Sequence, residues 1–483
     1  MPRPPNILLI TADDHAAAAI GCYGSRVNRT PWIDRIAVEG MRFDRAACTN
    51  SLCSPSRATL LTGTYSHVHG VTTLSAPYDA RQPAFPALLQ DAGYRTALVG
   101  KWHLGHGHHH DPRGFDHWAV LPDQGAYHDP EFLTVGGGSS VHRGYVTDVI
   151  TDLALGWLDS TFGDPRPWCL LVQHKAPHRS WEPAPRHAHW YEDADFAVPD
   201  TFFDDYQHRA SAAREARMRI DRDLSPADLK EPVPAGLVGP ARSQWMYRRF
   251  LTDYLRCVAA VDESVGRLLD WLDRHRADQD TVVVYTSDQG FFLGEHGWYD
   301  KRFMFAESLR IPLLVRYPAE VAPESGCDEI VLNVDLAPTL LDLAGAPVPA
   351  RMQGRSAREL LRGTRPTDWR QVGYYRYWEH LDGIHRVGAH CGIWTREHKL
   401  VHYYGDGGGQ PGASGHTRTP EWELFDLEQD PREMHSRYDD PAYAAVAAWL
   451  RGELLRQIRQ VGDEPPASLD RLIETVAAGG EDR

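Results

Sequence analysis

Four short runs of apolar, β-forming residues constrain this chain more than anything else in it: Ile7–Thr11, Thr96–Val99, Trp168–Val172 and Thr281–Ser287. Each is continuous rather than alternating, the pattern of a strand covered on both faces. Helical patterns lie between them at Ala84–Gly93, Tyr145–Ser160 and Gln244–His275. In the last, Leu251, Tyr254, Val258, Val261, Val265, Leu268 and Leu272 recur every three or four residues and draw one apolar stripe. Strands alternating with helices predict an α/β fold with a mixed, mostly parallel sheet between helices. Ligands of such sheets bind beyond the carboxyl ends of the strands. All four runs end on polar residues: Ala12-Asp13-Asp14-His15, Gly100-Lys101-Trp102-His103, Gln173-His174-Lys175-Ala176-Pro177-His178 and Asp288-Gln289-Gly290. These clusters, up to 275 residues apart in sequence, are expected at one edge.

Asp13, Asp14 and Asp288, with Gln289 as a neutral oxygen donor, form an all-oxygen set. Such a set suits a hard cation, calcium or less readily magnesium, better than zinc. Cys53-Ser54-Pro55-Ser56-Arg57 reads as a helix start, with Pro near the first helical position and Ala58–Leu61 continuing the helix. Cys53 then sits at a helix N-terminus, where free N–H groups and the dipole favour an anion, and Arg57 can fork onto oxyanions one turn later. The other cysteines, six of the seven, show no zinc-type spacing.

From about residue 365 the texture changes to short aromatic strands, Gly392–Trp394, Lys399–Tyr403 and Glu423–Leu427, before a helix over Tyr443–Val461. We expect an α/β domain over 1–364 and, over 365–483, a small C-terminal α+β domain with an antiparallel sheet that helps close the active site. Within the first, Ile311–Tyr317 reads as another buried strand, Asp335–Gly345 as a helix with an Asp cap and a Gly stop, and 195–243 as a surface excursion with short helices. The tract His106-Gly107-His108-His109-His110 reads as a mobile polar loop. A formal charge of -15 argues against nucleic acid as a partner. The apolar segment Asn6–Thr11 is too short for a signal peptide, and no run approaches the roughly 18 residues of a membrane span. A soluble, cytoplasmic protein without membrane contact is expected.

Cys53-x-Pro55-x-Arg57 followed by Leu61-Thr62-Gly63 resembles the signature of type I sulfatases, members of the alkaline phosphatase superfamily. The resemblance extends through Asp13, Asp14, Lys101, His103, His178, Asp288, Gln289 and Lys301, and spans residues 6 to about 434. It implies that Cys53 is oxidised to formylglycine (3-oxoalanine) by a formylglycine-generating maturase, and that the hydrated aldehyde attacks sulfur. It also implies a calcium ion held by Asp13, Asp14, Asp288 and Gln289, clamping residue 53 and a sulfate oxygen. Arg57, Lys101 and Lys301 would neutralise the sulfate. Asp288 would serve as base, His178 or Lys301 would protonate the leaving alcohol, and His103 would remove the second hydroxyl proton.

The run from Asp288 to Trp298 resembles bacterial sulfatases acting on sulfated glycans, which implies a sulfated carbohydrate or other sulfated small molecule as substrate. Trp378, His385 and His390, near Tyr374, Tyr375 and Tyr377, suit sugar binding or the core of the small domain equally. Two rival readings stand beside the sulfatase: a phosphonate monoester or phosphodiester hydrolase of the same superfamily, and a non-catalytic glycan-binding relative.

Overall fold

The computed structural model describes residues 4–25 and 27–469. Residues 1–3 of the amino end and 470–483 of the small domain lie outside the described residues. Ten strands form one sheet: β1 (Asn6–Ala12), β2 (Met41–Phe43), β3 (Arg95–Lys101), β4 (His117–Leu121), β5 (Glu131–Thr134), β6 (Gly138–Val141), β7 (Trp168–Gln173), β8 (Thr281–Ser287), β9 (Leu313–Arg316) and β10 (Ser325–Cys327). Their order is β10-β2-β9-β8-β1-β7-β3-β4-β5-β6. The centre, β8-β1-β7-β3-β4, is parallel, and it holds all four apolar runs side by side. β9 runs antiparallel to β8 and β2, and β5 antiparallel to β4 and β6, so the sheet is mixed only toward its edges.

Pleating sends successive side chains to opposite faces. Ile7 and Leu9 of β1 enter one core and Leu8 and Ile10 the other, and all four are fully buried. Seven helices of seven residues or more cover the two faces: α1 (Pro31–Val38), α2 (Cys53–Thr62), α3 (Phe85–Asp91), α4 (Val146–Thr161), α5 (Gly239–Arg274), α6 (Leu336–Leu343) and α7 (Ala444–Gln460). The apolar faces of α1, α4 and α5 fill one core and those of α2, α3, α6 and α7 the other. α5 starts five residues before the expected Gln244, with Pro240 in its first turn, where no intrahelical N–H is lost.

Two local expectations need correction. Asp335 stands at the start of α6 but does not cap it; its carboxylate accepts the N–H of Leu332 and Arg355 and pairs with Arg370, serving a 3₁₀ turn just upstream. Gly345, at φ 70, ends the helix as expected. The stretch 195–243 is no mere surface excursion. Its Ala213, Ala216, Met218 and Ile220 are fully buried, and it straps the two domains together. Ala210 N–H donates to Glu423 (2.8 Å), Arg217 N–H to the His385 carbonyl (2.6 Å), and the Met218 carbonyl accepts from Tyr299 N–H (2.9 Å). The segment reads as polar because its buried residues, large and small, are scattered among charged ones with no regular period.

The small domain is an antiparallel meander, β11 (Gly373–Tyr377), β12 (His390–Trp394), β13 (His398–Tyr403) and β14 (Glu421–Asp426), backed by α7. β11 is the strand the sequence reading left out: its Tyr374, Tyr375 and Tyr377 are buried in an apolar cluster continuous with one face of the large sheet. Among the described residues no helix is long and apolar enough to cross a membrane.

The N-terminus of α1 is satisfied from outside, since Asp262 of α5 accepts the N–H of Trp32 (3.0 Å) and Ile33 (2.9 Å). Burial pushes this carboxyl up to about 7, against the pull of those two N–H groups. The folded chain therefore keeps a proton there that the unfolded chain, with an ordinary Asp, has released above about pH 4. Wild-type stability falls as pH rises from about 4 to 7 through this group. Asp262→Asn removes that slope, so its Tm relative to wild type should rise between about pH 5 and 7 and level off above that in calorimetric scans; a pH-independent difference would mean Asp262 is ionised throughout.

Candidate active site

The site is assembled from strand ends. Adjacent parallel strands stop within a residue of one another, with Ala12 opposite Ser287 and both Thr11 and Gly100 opposite Gln173. Asp14 turns the chain at φ 69, and its N–H donates to Asp288 Oδ1 at 3.2 Å, stitching the end of β1 to that of β8. Gly100, at φ 110, lets β3 lie against β7: a Cβ there would stand 2.0 Å from the Gln173 carbonyl oxygen.

Facing these ends is α2, every residue of which is buried. It begins at Cys53, so Pro55 is the third helical residue rather than the first, still within the turn whose N–H groups have no partner inside the helix. Ser56 pins this helix, donating to the Asp288 carbonyl and accepting from Asn333 Nδ2 at 2.8 Å. Cys53 is 1% exposed. Burial, and then the Asp13 carboxylate, pushes its thiol far above the ordinary range.

Three cations answer three carboxylates at this point. Arg57 donates through Nε (3.0 Å) to Asp288 Oδ2, with Nη2 at 2.9 Å, and its Nη1 holds the Lys101 carbonyl at 3.1 Å and Gln173 Oε1. Lys101 Nζ bonds Asp13 Oδ2 and Gln124 Oε1 (2.6 Å). Lys301 Nζ lies 2.6 and 2.7 Å from the oxygens of Asp14. Burial pushes Asp14 up to about 6, less than it would without Lys301, and Asp288 up to about 7, with Asp13 adding to the rise. For Asp13 burial works the same way, but the permanent charges of Lys101 and Arg57 oppose it and hold the carboxyl well below its usual value.

This donor set fits a divalent cation. Asp13, Asp14 and Asp288 each bring an oxygen within 4.8 Å of the others, and Asp13 Oδ1 and Gln289 Oε1 are buried with no hydrogen-bond partner. Gln289 Nε2 touches Asp14 Oδ1 and stands 3.9 Å from Cys53 Sγ, so a half-turn of that amide would put its carbonyl oxygen among the carboxylates. Oxygen-only donors and crowded negative charge select calcium or magnesium.

Two imidazoles border Cys53. His178 Nε2 lies 3.8 Å from Asp14 Oδ2 and within 4.8 Å of ligand atoms on Asp13 and Cys53. Its Nδ1 donates to the Arg179 carbonyl at 2.7 Å, which leaves Nε2 facing the site. His103, at φ 55, has its carbonyl held by Ser54 Oγ (2.7 Å) and its Nε2 3.1 Å from Gln124 Nε2, the amide donating. Burial and then Lys101 push both imidazoles well below their ordinary values, so both rest neutral.

Of the three residues expected to bind sugar, His385 comes nearest to this centre. It is hydrogen-bonded to Asp382 (3.0 Å) and stands 3.4 Å from Asp300, the neighbour of Lys301. Trp378 is stacked under Arg376 (3.5 Å) on the wall of a separate cavity with His67 and Thr72. His390 is fully buried between the rings of Tyr375 and Tyr377, inside the small domain. In the histidine tract, His110 bonds the Tyr78 carbonyl and His106 accepts from Asp123 N–H; no candidate metal cluster among the described residues includes either.

Gln124, Tyr127, Arg179 and Asp228 were not read from the sequence as site residues, and Gln173 was read only as part of a polar strand end. Tyr127 OH donates to the His178 carbonyl at 2.5 Å. Arg179 is held in a two-pronged pair by Asp228, which is 1% exposed and closes a capping box with Ser225. The signal for Asp228 was the Ser225-Pro226-Ala227-Asp228 spacing, a capping box in what read as loop.

A profile of the sulfatase family matches residues 5–346, and one described as N-sulphoglucosamine sulphohydrolase, C-terminal, matches residues 294–460. The N-acetylglucosamine-6-O-sulfatase of Bacteroides thetaiotaomicron is 40% identical, with 98% of this chain and 89% of that one covered. The N-acetylglucosamine-6-sulfatase of Homo sapiens is 28% identical, covering 76% of this chain and 66% of its own length. A solved structure holding its substrate, D-glucosamine-2-N,6-O-disulfate, superposes with a TM-score of 0.90 at 40% identity, over 96% of this chain and 99% of that one. A phosphonate monoester hydrolase from Silicibacter pomeroyi, 21% identical with a TM-score of 0.74 over 96% of each chain, shares the fold.

Asp228→Ala frees Arg179 and with it the carbonyl that orients His178. Turnover of an ester with a poor leaving alcohol should fall roughly tenfold or more, the scale of a misplaced general acid, while an activated aryl ester changes little. Equal losses on both esters would assign Asp228 to folding alone.

Proposed function

This chain belongs to the sulfatase family, and from that premise we propose that it hydrolyses the sulfate monoester of a sulfated glucosamine unit in a carbohydrate. The observation that carries this reading is the placement of Cys53 at the N-terminus of buried α2, with Arg57, Lys101, Lys301, His103 and His178 around it. The substrate class is supported by the glucosamine sulfatases among the relatives and by the glucosamine disulfate held in the similar structure.

In this reading a maturase converts Cys53 to formylglycine, which supplies a hydrated aldehyde as nucleophile, and a bound divalent cation, calcium by its donors, supplies neutralising charge at a sulfate oxygen. Asp13, Asp14, Asp288 and Gln289 are the residues to hold that cation. Arg57, Lys101 and Lys301 surround the sulfate with positive charge in a site that excludes water, where each interaction is stronger than in bulk. Asp288, fixed by Arg57, is the base for the attacking oxygen. His178 is the acid for the departing alcohol, since Lys301 Nζ is engaged by both oxygens of Asp14. Burial first, and then Lys101, keeps His178 neutral; a sulfate entering beside Lys101 and Lys301 offsets the second cause and so favours the imidazole's protonation as substrate binds. His103 Nε2, steadied by Gln124, takes the last proton.

The test has three arms. In protein made with a maturase, the tryptic peptide Ala46–Arg57 should lose one sulfur and two hydrogens and gain one oxygen. Cys53→Ala should be folded and inactive, and chelation should abolish turnover until calcium is returned. Turnover of 6-O-sulfated N-acetylglucosamine should far exceed that of an aryl phosphonate; the reverse order would move the chain's activity to phosphonate esters.

A further inference from the structure

Where the loop before α1 meets the segment after β7, a cavity of about 650 Å³ opens between two exposed tryptophans, Trp32 (37% exposed) and Trp190 (43% exposed). Its volume is that of a small-ligand site. Both rings are fixed. Trp32 lies flat on α5 at Gly266, where a Cβ would come within 2.7 Å of the ring, and its backbone N–H is tied to Asp262. Trp190 rests against the His187 ring at 4.5 Å, with its carbonyl held by Arg256 at 2.8 Å. Next to it the Tyr191 hydroxyl donates to Asn28 at 2.5 Å.

The charges lining this cavity are already spent, with one exception. Glu263 is taken by Arg186 (2.6 Å) and His187 (2.8 Å), and Asp262 by the two N–H groups of α1. Arg29 lines the same cavity, is exposed, and has no hydrogen bond or ion pair among the described residues. The cavity thus offers two rigid aromatic faces and one free guanidinium, on a chain whose net charge is -15. Aromatic faces take the C–H side of a pyranose, and a guanidinium forks onto a sulfate or carboxylate.

We propose that this cavity is a second, non-catalytic binding site for an acidic sugar unit of a sulfated glycan, with Trp32 and Trp190 stacking on the ring and Arg29 on its anionic group. The inference rests on the proposed carbohydrate substrate and extends it from a single sugar to a chain. A chain held at two places stays near the active site between turnovers, through effective concentration rather than new catalytic contacts.

The test titrates a fully sulfated heparin hexasaccharide calorimetrically into the Cys53→Ala protein, which cannot turn it over, and into the same protein carrying Arg29→Ala or Trp190→Ala. Two binding sites per chain should become one, and a control hexasaccharide that is both desulfated and carboxyl-reduced, and so carries no anion, should bind far more weakly at both. On the otherwise unaltered chain, Arg29→Ala should leave turnover of 6-O-sulfated N-acetylglucosamine unchanged. Identical isotherms in all three proteins, or equal binding of the anion-free control, overturn the proposal. So does a dimer by sedimentation that Trp190→Ala dissociates, since the tryptophans would then face a second copy. If the unaltered chain does not turn over the monosaccharide, the functional reading fails instead, and the isotherms still decide the cavity.

Discussion

Three carboxylates buried at one point would force a chain apart if nothing answered them. Asp13, Asp14 and Asp288 are tolerated together because Arg57, Lys101 and Lys301 reach them from α2, from β3 and from the segment after β8. Removing any one partner leaves a charge stranded in the interior, so these six residues fix the relative positions of the elements that bear them. Burial, and then Lys101, keeps both imidazoles neutral, and two oxygens, on Asp13 and Gln289, stand without hydrogen-bond partners. The site is held by attraction yet keeps two buried oxygens available, so it is packed tightly without being closed to a further donor or cation.

What could be read from the sequence follows the range of the forces involved. The central strands were legible because burial on both faces leaves only apolar residues, and adjacent parallel strands then carry their polar ends to one edge. The motif residues were legible because Cys53 and Arg57 stand in a signature resembling that of type I sulfatases, and Lys101 and Lys301 match the positions that follow it in that family. The supporting layer was not. Gln173 was placed at the sheet edge by its strand, but nothing local marks it as the partner of Arg57, and Asp228 looks like any turn until the fold brings it to Arg179. Three tyrosines in five residues of β11 carry no local mark to tell a stacking surface from a core; only pairing with β12 and contact with the large sheet decide it.

The stretch 195–243 shows a further limit. Polar composition reads as exposure, but small residues such as Ala213 and Ala216 can be enclosed without an apolar stripe. By bonding to β14, to the loop before β12 and to the residues before Lys301, this strap ties the small domain to the large one. Domain boundaries drawn from texture alone miss such a connection, because it consists of backbone groups that every residue has.

The complete burial of α2 also bears on time. With 1% of Cys53 exposed, no other protein can reach its sulfur once the chain has closed around it, so any enzymatic change at that residue belongs to the interval before folding ends. That interval is set by topology. β8 must find β1 across 275 residues of chain before the pocket exists, and contacts so distant in sequence form slowly. The helix that bears Cys53 is thus made early in synthesis, and the strand whose end meets it is made long afterwards.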